Sequence, residues 1–149
     1  MRRQFDPDSR HHIKPAKAAV FVSICLGELF GIRLGYMYTD ARQFLGKTVT
    51  VLMDRPLGSK HPKYGYVYPV NYGFIEGTLA PDNQEVDAYV LGVNEAMEEY
   101  TGTCIALIHR HKDDDDKLVV VPEGVSMPDE EIRAATHFQE QYFTSDILR

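Results

Sequence analysis

The sequence predicts a mainly β fold, a small barrel of five short strands with one C-terminal helix. Three observations carry this. Thr48, Val49, Thr50 and Val51 alternate polar and β-branched apolar residues, the mark of a strand with one buried face. Short apolar runs at 86–93, 103–109 and 117–121 are separated by turn-forming residues. Only the chain's end shows helical spacing, with Ile132, Ala135, Phe138 and Tyr142 falling on one stripe.

The elements follow in order. Residues 47–53 read as the first strand, and 58–65, rich in Gly, Pro, Lys and Ser, as a loop. Residues 66–73 are aromatic and strand-like, with Pro69 demanding an edge or a bulge. Pro81 and Asn83 mark 77–85 as a loop. Strands are then expected at 86–93, 103–109 and 117–121, with an acidic loop at 113–116 between the last two. Ser126 and Asp129 have capping-box spacing, Pro128 suits a first turn, and Glu130 and Glu131 favour the positive end of the helix dipole. Five strands and a terminal helix fit an OB-like barrel with the helix packed outside, an α+β arrangement.

A length of 149 residues suits one domain, and 44% apolar with 26% charged residues excludes wholesale disorder. Residues 1–36 carry a net +3, whereas 37–149 carry −9. The acidic body argues against nucleic acid as a partner. Two cysteines, Cys25 and Cys104, make neither a disulfide framework nor a four-cysteine zinc site, so a reducing, cytoplasmic setting is expected. Segment 1–36 has a basic start and an apolar run from Ala18 to Leu26, the outline of a secretory signal. Gly27 and Glu28 interrupt that run, no small-residue cleavage site follows it, and it is too short to span a bilayer. Segment 1–36 is therefore expected to be a poorly ordered extension or a non-native start, and 37–149 a single domain beginning at Met37, without a membrane anchor.

Carboxylates gather near strand ends: Asp54, then Asp82 and Asp87, then Asp113 to Asp116. Several oxygen ligands without a His–Cys cluster suit a hard cation such as Mg²⁺. A basic and phenolic set accompanies them: Arg55, Lys60, Lys63, Lys117, Tyr68, Tyr72 and Tyr142. Singly, an acidic loop is a solvated face and each lysine a surface residue. Together they suit an anion, phosphate above all, that also binds the metal.

The order of these pieces resembles the soluble family I inorganic pyrophosphatases. Tyr-Pro-x-Asn-Tyr-Gly at 68–73 is followed by Gly-Thr-Leu at 77–79, Asp-Asn-Gln-Glu-Val-Asp at 82–87, and Asp-Asp-Lys-Leu-Val-Val-Val-Pro at 115–122. The run Asp-Arg-Pro-Leu-Gly-Ser-Lys-His-Pro at 54–62 resembles a short bacterial branch. The resemblance spans about residues 47–143 and implies an OB-type barrel that hydrolyses inorganic pyrophosphate with Mg²⁺ ions, or Mn²⁺, and a metal-activated water. It also implies a homo-oligomer. Asp54, Asp82, Asp87 and Asp115 match metal-binding or metal-adjacent acids, Lys117 and Tyr142 phosphate-contacting residues, and Tyr72 a tyrosine that supports the site.

The chain departs from that pattern at three places. The aspartate expected to orient or deprotonate the attacking water is Gln84, which accepts hydrogen bonds but no proton at neutral pH. A further metal-binding aspartate falls at Arg110, and a lysine at Phe143. The stretch between Pro56 and Tyr68 is short and lacks a basic hairpin, which Lys60 or Lys63 replaces in part; Asp113 or Asp114 would offset the change at Arg110. The expected function is Mg²⁺-dependent diphosphate hydrolysis with reduced activity. Two alternatives stand beside it: a degenerate homologue that binds metal and phosphate compounds without efficient hydrolysis, and an OB-type module binding single-stranded nucleic acid.

Overall fold

The structure, a computed structural model, describes residues 37–113 and 115–149. The signal, start-site and ordering expectations for 1–36, with Cys25, lie outside the described residues, as does Asp114. A 3₁₀ turn at Ala41–Phe44, capped by the Asp40 carboxylate on the Arg42 amide, precedes the sheet. The strands are β1 (Thr48–Arg55), β2 (Asn71–Phe74), β3 (Asp87–Val90), β4 (Glu99–Arg110), β5 (Asp116–Val121) and β6 (Ser145–Leu148), with helix α1 (Asp129–Glu140) between the last two.

The sheet order is β1-β2-β3-β5-β4-β6, and a further β1–β4 pairing closes the first five strands into a barrel. Only β3 and β5 run parallel. Closure rests on the length of β4, whose first half pairs with β1 and whose second half pairs with β6, while β5 lies along its other edge. A register shift between Cys104 and Ala106 bends β4. Gly73 meets β1 at a second shift, where a β-carbon would run into the Leu52 carbonyl. That contact makes glycine obligatory in the 68–73 motif.

Side chains alternate between two cores. Val49, Val51, Ala88, Val90, Cys104, Leu107, Leu118 and Val120 fill the barrel. Tyr72, Tyr89, Ile108, Val119, Val121 and Ile132 lie between the barrel wall and α1. Strand β5, buried on both sides, is therefore continuously apolar after Lys117. Phe138 packs edge-on against Tyr68 and Tyr89, pairs worth about 0.5–1.5 kcal/mol each beyond area burial.

The barrel and the outer helix are as expected, with differences in detail. Within 66–73 only 71–73 join the sheet, as part of β2; Val67 makes an isolated antiparallel bridge with Lys60, and Tyr64, Tyr66 and Tyr68 stack around buried His61. Strand β3 is shorter than 86–93, β4 longer than 103–109, and β6 is additional. Ser126 is not the helix cap. Extended Pro128 occupies that position and has no side-chain acceptor, so the acids Asp129, Glu130 and Glu131 alone favour the helix start. Alongside Ile132, α1 buries Thr136, Gln139 and Glu140, whereas Ala135, Phe138 and Tyr142 are only half-buried. No helix among the described residues is long and apolar enough to cross a membrane.

Candidate functional site

The helix-facing side of the barrel carries a buried ion network. Asp87 and Lys117 are direct partners in the parallel β3–β5 pair, so their side chains emerge together. The Lys117 ammonium, wholly buried, lies 2.8 Å from Asp87 Oδ2 and 3.1 Å from Asp115 Oδ2, and donates to the Tyr72 hydroxyl at 2.9 Å. Those three contacts match the three donors of an ammonium group. Tyr72 stands on β2 beside β3, so three strands, with Asp115 just before β5, converge on one nitrogen.

Arg110, at the end of β4, extends the network. Its Nε and Nη2 grip both oxygens of Glu140 at 2.9 and 2.7 Å, and Nη1 lies 3.3 Å from Asp115 Oδ2. Its face covers the Phe143 ring, with the guanidinium carbon 3.7 Å from the centroid. Tyr89 donates to Glu140 Oε1 at 2.7 Å, and Gln139 donates to the Tyr89 hydroxyl at 2.7 Å. Burial pulls the Arg110 guanidinium down, but the hydrogen bonds and charge of Glu140, helped by Tyr89 and Asp115, outweigh that and hold it above its ordinary value. It is therefore charged. Three carboxylates, Asp87, Asp115 and Glu140, share two cations, Lys117 and Arg110.

Of the sequence-predicted residues, Asp87, Asp115, Lys117 and Tyr72 meet within hydrogen-bond distance. Asp82 is exposed and turned to its own loop, where Oδ1 accepts the Gln84 amide at 3.0 Å beside left-handed Asn83. Gln84 is half-buried, and its carbonyl accepts from the Ala80 amide at 2.7 Å. Asp54 is half-buried near the end of β1, and Tyr142 is half-buried just past α1. Lys60 and Lys63 are exposed on the loop after β1, the latter 5.3 Å from the centroid of the Tyr64 ring. Asp113 does not offset Arg110 as a spare acid but adds to its counter-charge at 3.8 Å.

Three roles were not assigned from sequence. Glu140 and Tyr89 complete the Arg110 site; the clue was a carboxylate placed on the buried side of a helix. Asn71 ties two loops, accepting from the Leu57 and Met97 amides and donating to the Glu95 carbonyl at 2.8–3.1 Å.

The buried network does not assemble the multi-ion Mg²⁺ centre that the family resemblance implies. Among the described residues no three His, Cys, Asp or Glu side chains are grouped to hold a metal. Where Asp87 and Asp115 do meet, Lys117 and Arg110 stand among their oxygens.

Residues 47–146 match the family model described as inorganic pyrophosphatase. None of the curated protein sequences matches. Among solved structures, the inorganic pyrophosphatase of Ehrlichia chaffeensis superposes with a TM-score of 0.55 at 20% identity, covering 68% of this chain and 85% of that one. An inorganic phosphatase from Anaplasma phagocytophilum gives 0.51 at 18% identity, covering 66% and 82%. The inorganic pyrophosphatase of Helicobacter pylori gives 0.50 at 21%, covering 64% and 75%. At these identities the likeness establishes the fold.

Proposed function

Since the chain belongs to the inorganic pyrophosphatase family, we propose that it hydrolyses inorganic diphosphate to two phosphates in the cytoplasm, as a homo-oligomer, with a reduced rate. Water adds to one phosphorus, the bridging P–O bond breaks, and the second phosphate leaves. The observation that supports this reading is the meeting of Asp87, Asp115 and Tyr72 on the Lys117 ammonium.

In this reading Lys60, Lys63 and Tyr142 hold the phosphates, and Lys117 supplies fixed positive charge behind them. The Gln84 amide oxygen orients the attacking water but does not take its proton. General-base help is typically worth ~10² to 10⁴ in rate, which sets the scale of the deficit. The pyrophosphatase family generally uses a divalent metal. Because the Lys117 and Arg110 cations crowd Asp87 and Asp115, Mg²⁺ or Mn²⁺ would rely on acids outside the buried network, Asp54 and Asp82.

One observation favours a second reading. Arg110, clamped by Glu140 and Asp115, puts a fixed cation in the acidic cluster, as a homologue that binds phosphate compounds without efficient hydrolysis would have. No observation favours nucleic-acid binding. Phosphate release from diphosphate with Mg²⁺ or Mn²⁺ decides between the first two: release faster than a metal-only blank supports hydrolysis, and release no faster refutes it.

A further inference from the structure

We propose that Arg110 and Lys117 are the resident counter-ions of the Asp87–Asp115–Glu140 cluster and close it to divalent metal. The geometry leaves little choice. The Arg110 side chain is 1% exposed and that of Lys117 0%, so neither cation can swing into water without opening the layer beneath α1. Arg110 is fixed on three sides: Glu140 holds one edge with two bonds, Asp115 faces another nitrogen, and Phe143 covers the plane. The ammonium of Lys117 is divided among Asp87, Asp115 and Tyr72.

Placement, not the charge sum, closes the cluster: with Asp113 at 3.8 Å from Arg110, four carboxylates face two monocations, yet both cations stand among the oxygens that a divalent ion would need. The shared ligand is the telling one: Asp115 Oδ2 faces both Lys117 and Arg110. A metal drawing on that oxygen would lie beside two like charges in a dry setting, where repulsion is screened least. Expelling Arg110 instead would leave Glu140 as a buried carboxylate without its ion pair, a costly state. These charges are the same whether or not diphosphate is turned over.

The test is thermal unfolding of the full-length chain in EDTA and in about 10 mM Mg²⁺ or Mn²⁺, a concentration at which a site of sub-millimolar affinity shifts the midpoint measurably. A chain carrying Asp54→Asn and Asp82→Asn, the acids left to metal outside the network, is expected to melt within about a degree in all three, because no buried site is available to the metal. Arg110→Asp is expected to gain a metal-dependent rise of several degrees, or to fold only when metal is present. Direct counting of bound Mn²⁺ by the loss of its free-ion EPR signal should show one more ion held by that variant. A rise of several degrees in the Asp54→Asn, Asp82→Asn chain would overturn the proposal. So would a folded Arg110→Asp chain that binds no more Mn²⁺ than its parent. Should the Arg110→Asp variant not fold under any condition, the response of the Asp54→Asn, Asp82→Asn chain still decides.

Discussion

The Arg110 guanidinium carbon lies over Phe143, 3.7 Å from the ring centroid, while Glu140 takes two of its N–H bonds. Both positions depart from the family resemblance, which implies an aspartate at the first and a lysine at the second. The two departures are complementary. An ammonium at position 143 would press on the guanidinium, whereas an aromatic face attracts it. The exchange of an acid for a base at 110 is thus matched where the end of β4 meets the turn after α1.

That match predicts unequal costs at position 143. Phe143→Leu should lower stability by about 1 kcal/mol through loss of the cation–π contact. Phe143→Lys should lower it by about 2–4 kcal/mol, the scale of two like charges a few ångströms apart near a protein surface. Urea denaturation measures both, and equal stability of the two variants would contradict the pairing.

Removing Arg110 should be worse than removing it together with its partner. Arg110→Leu strands Glu140 and should cost about 3–5 kcal/mol, while the double variant Arg110→Leu with Glu140→Leu should recover a good part of that. A double-mutant cycle on urea midpoints gives the coupling; strict additivity would mean that the pair does not interact.

Cys104 gives a pH dependence whose sign follows from burial. Desolvation raises its thiol from 9.0 to about 11, outweighing backbone hydrogen bonds at Ala106 and Val119. The unfolded chain therefore ionises first. The stability tied to the neutral thiol is intact below pH 9 and is lost between pH 9 and about 11, by about 2 kcal/mol. The fall in unfolding free energy across that window should be smaller in Cys104→Ala by this amount. Parallel curves for the two chains would contradict it.

At Gln84, restoring a carboxylate restores a proton acceptor. Gln84→Asp should raise phosphate release from diphosphate by about a hundredfold, the low end of what general-base catalysis supplies. No gain would show that the limiting defect lies elsewhere in the site.

The barrel was legible because its signals are local. Alternation at Thr48 to Val51 and the apolar run after Lys117 reflect faces that neighbouring strands bury. Strand β6 was not legible: four residues carry no period, and their extended form comes from pairing Arg110 with Ser145 and Leu107 with Leu148. The stretch around Tyr66 and Tyr68 reads as one strand with β2, but it pairs locally instead, Val67 with Lys60, and its rings stack on His61. Within the site, Asp87, Asp115, Lys117 and Tyr72 could be picked out by motif order. Arg110 was visible only as a reversed charge, because its partner Glu140 lies 30 residues away on another element.

The measurement that bears most directly on function is ³¹P NMR of inorganic diphosphate incubated with the purified chain and Mg²⁺, run with the full chain and with a version beginning at Met37. The account predicts that the diphosphate resonance decays into that of orthophosphate, two per molecule consumed and faster than with Mg²⁺ alone, in both samples. A diphosphate signal that persists as long as in the protein-free tube would contradict it.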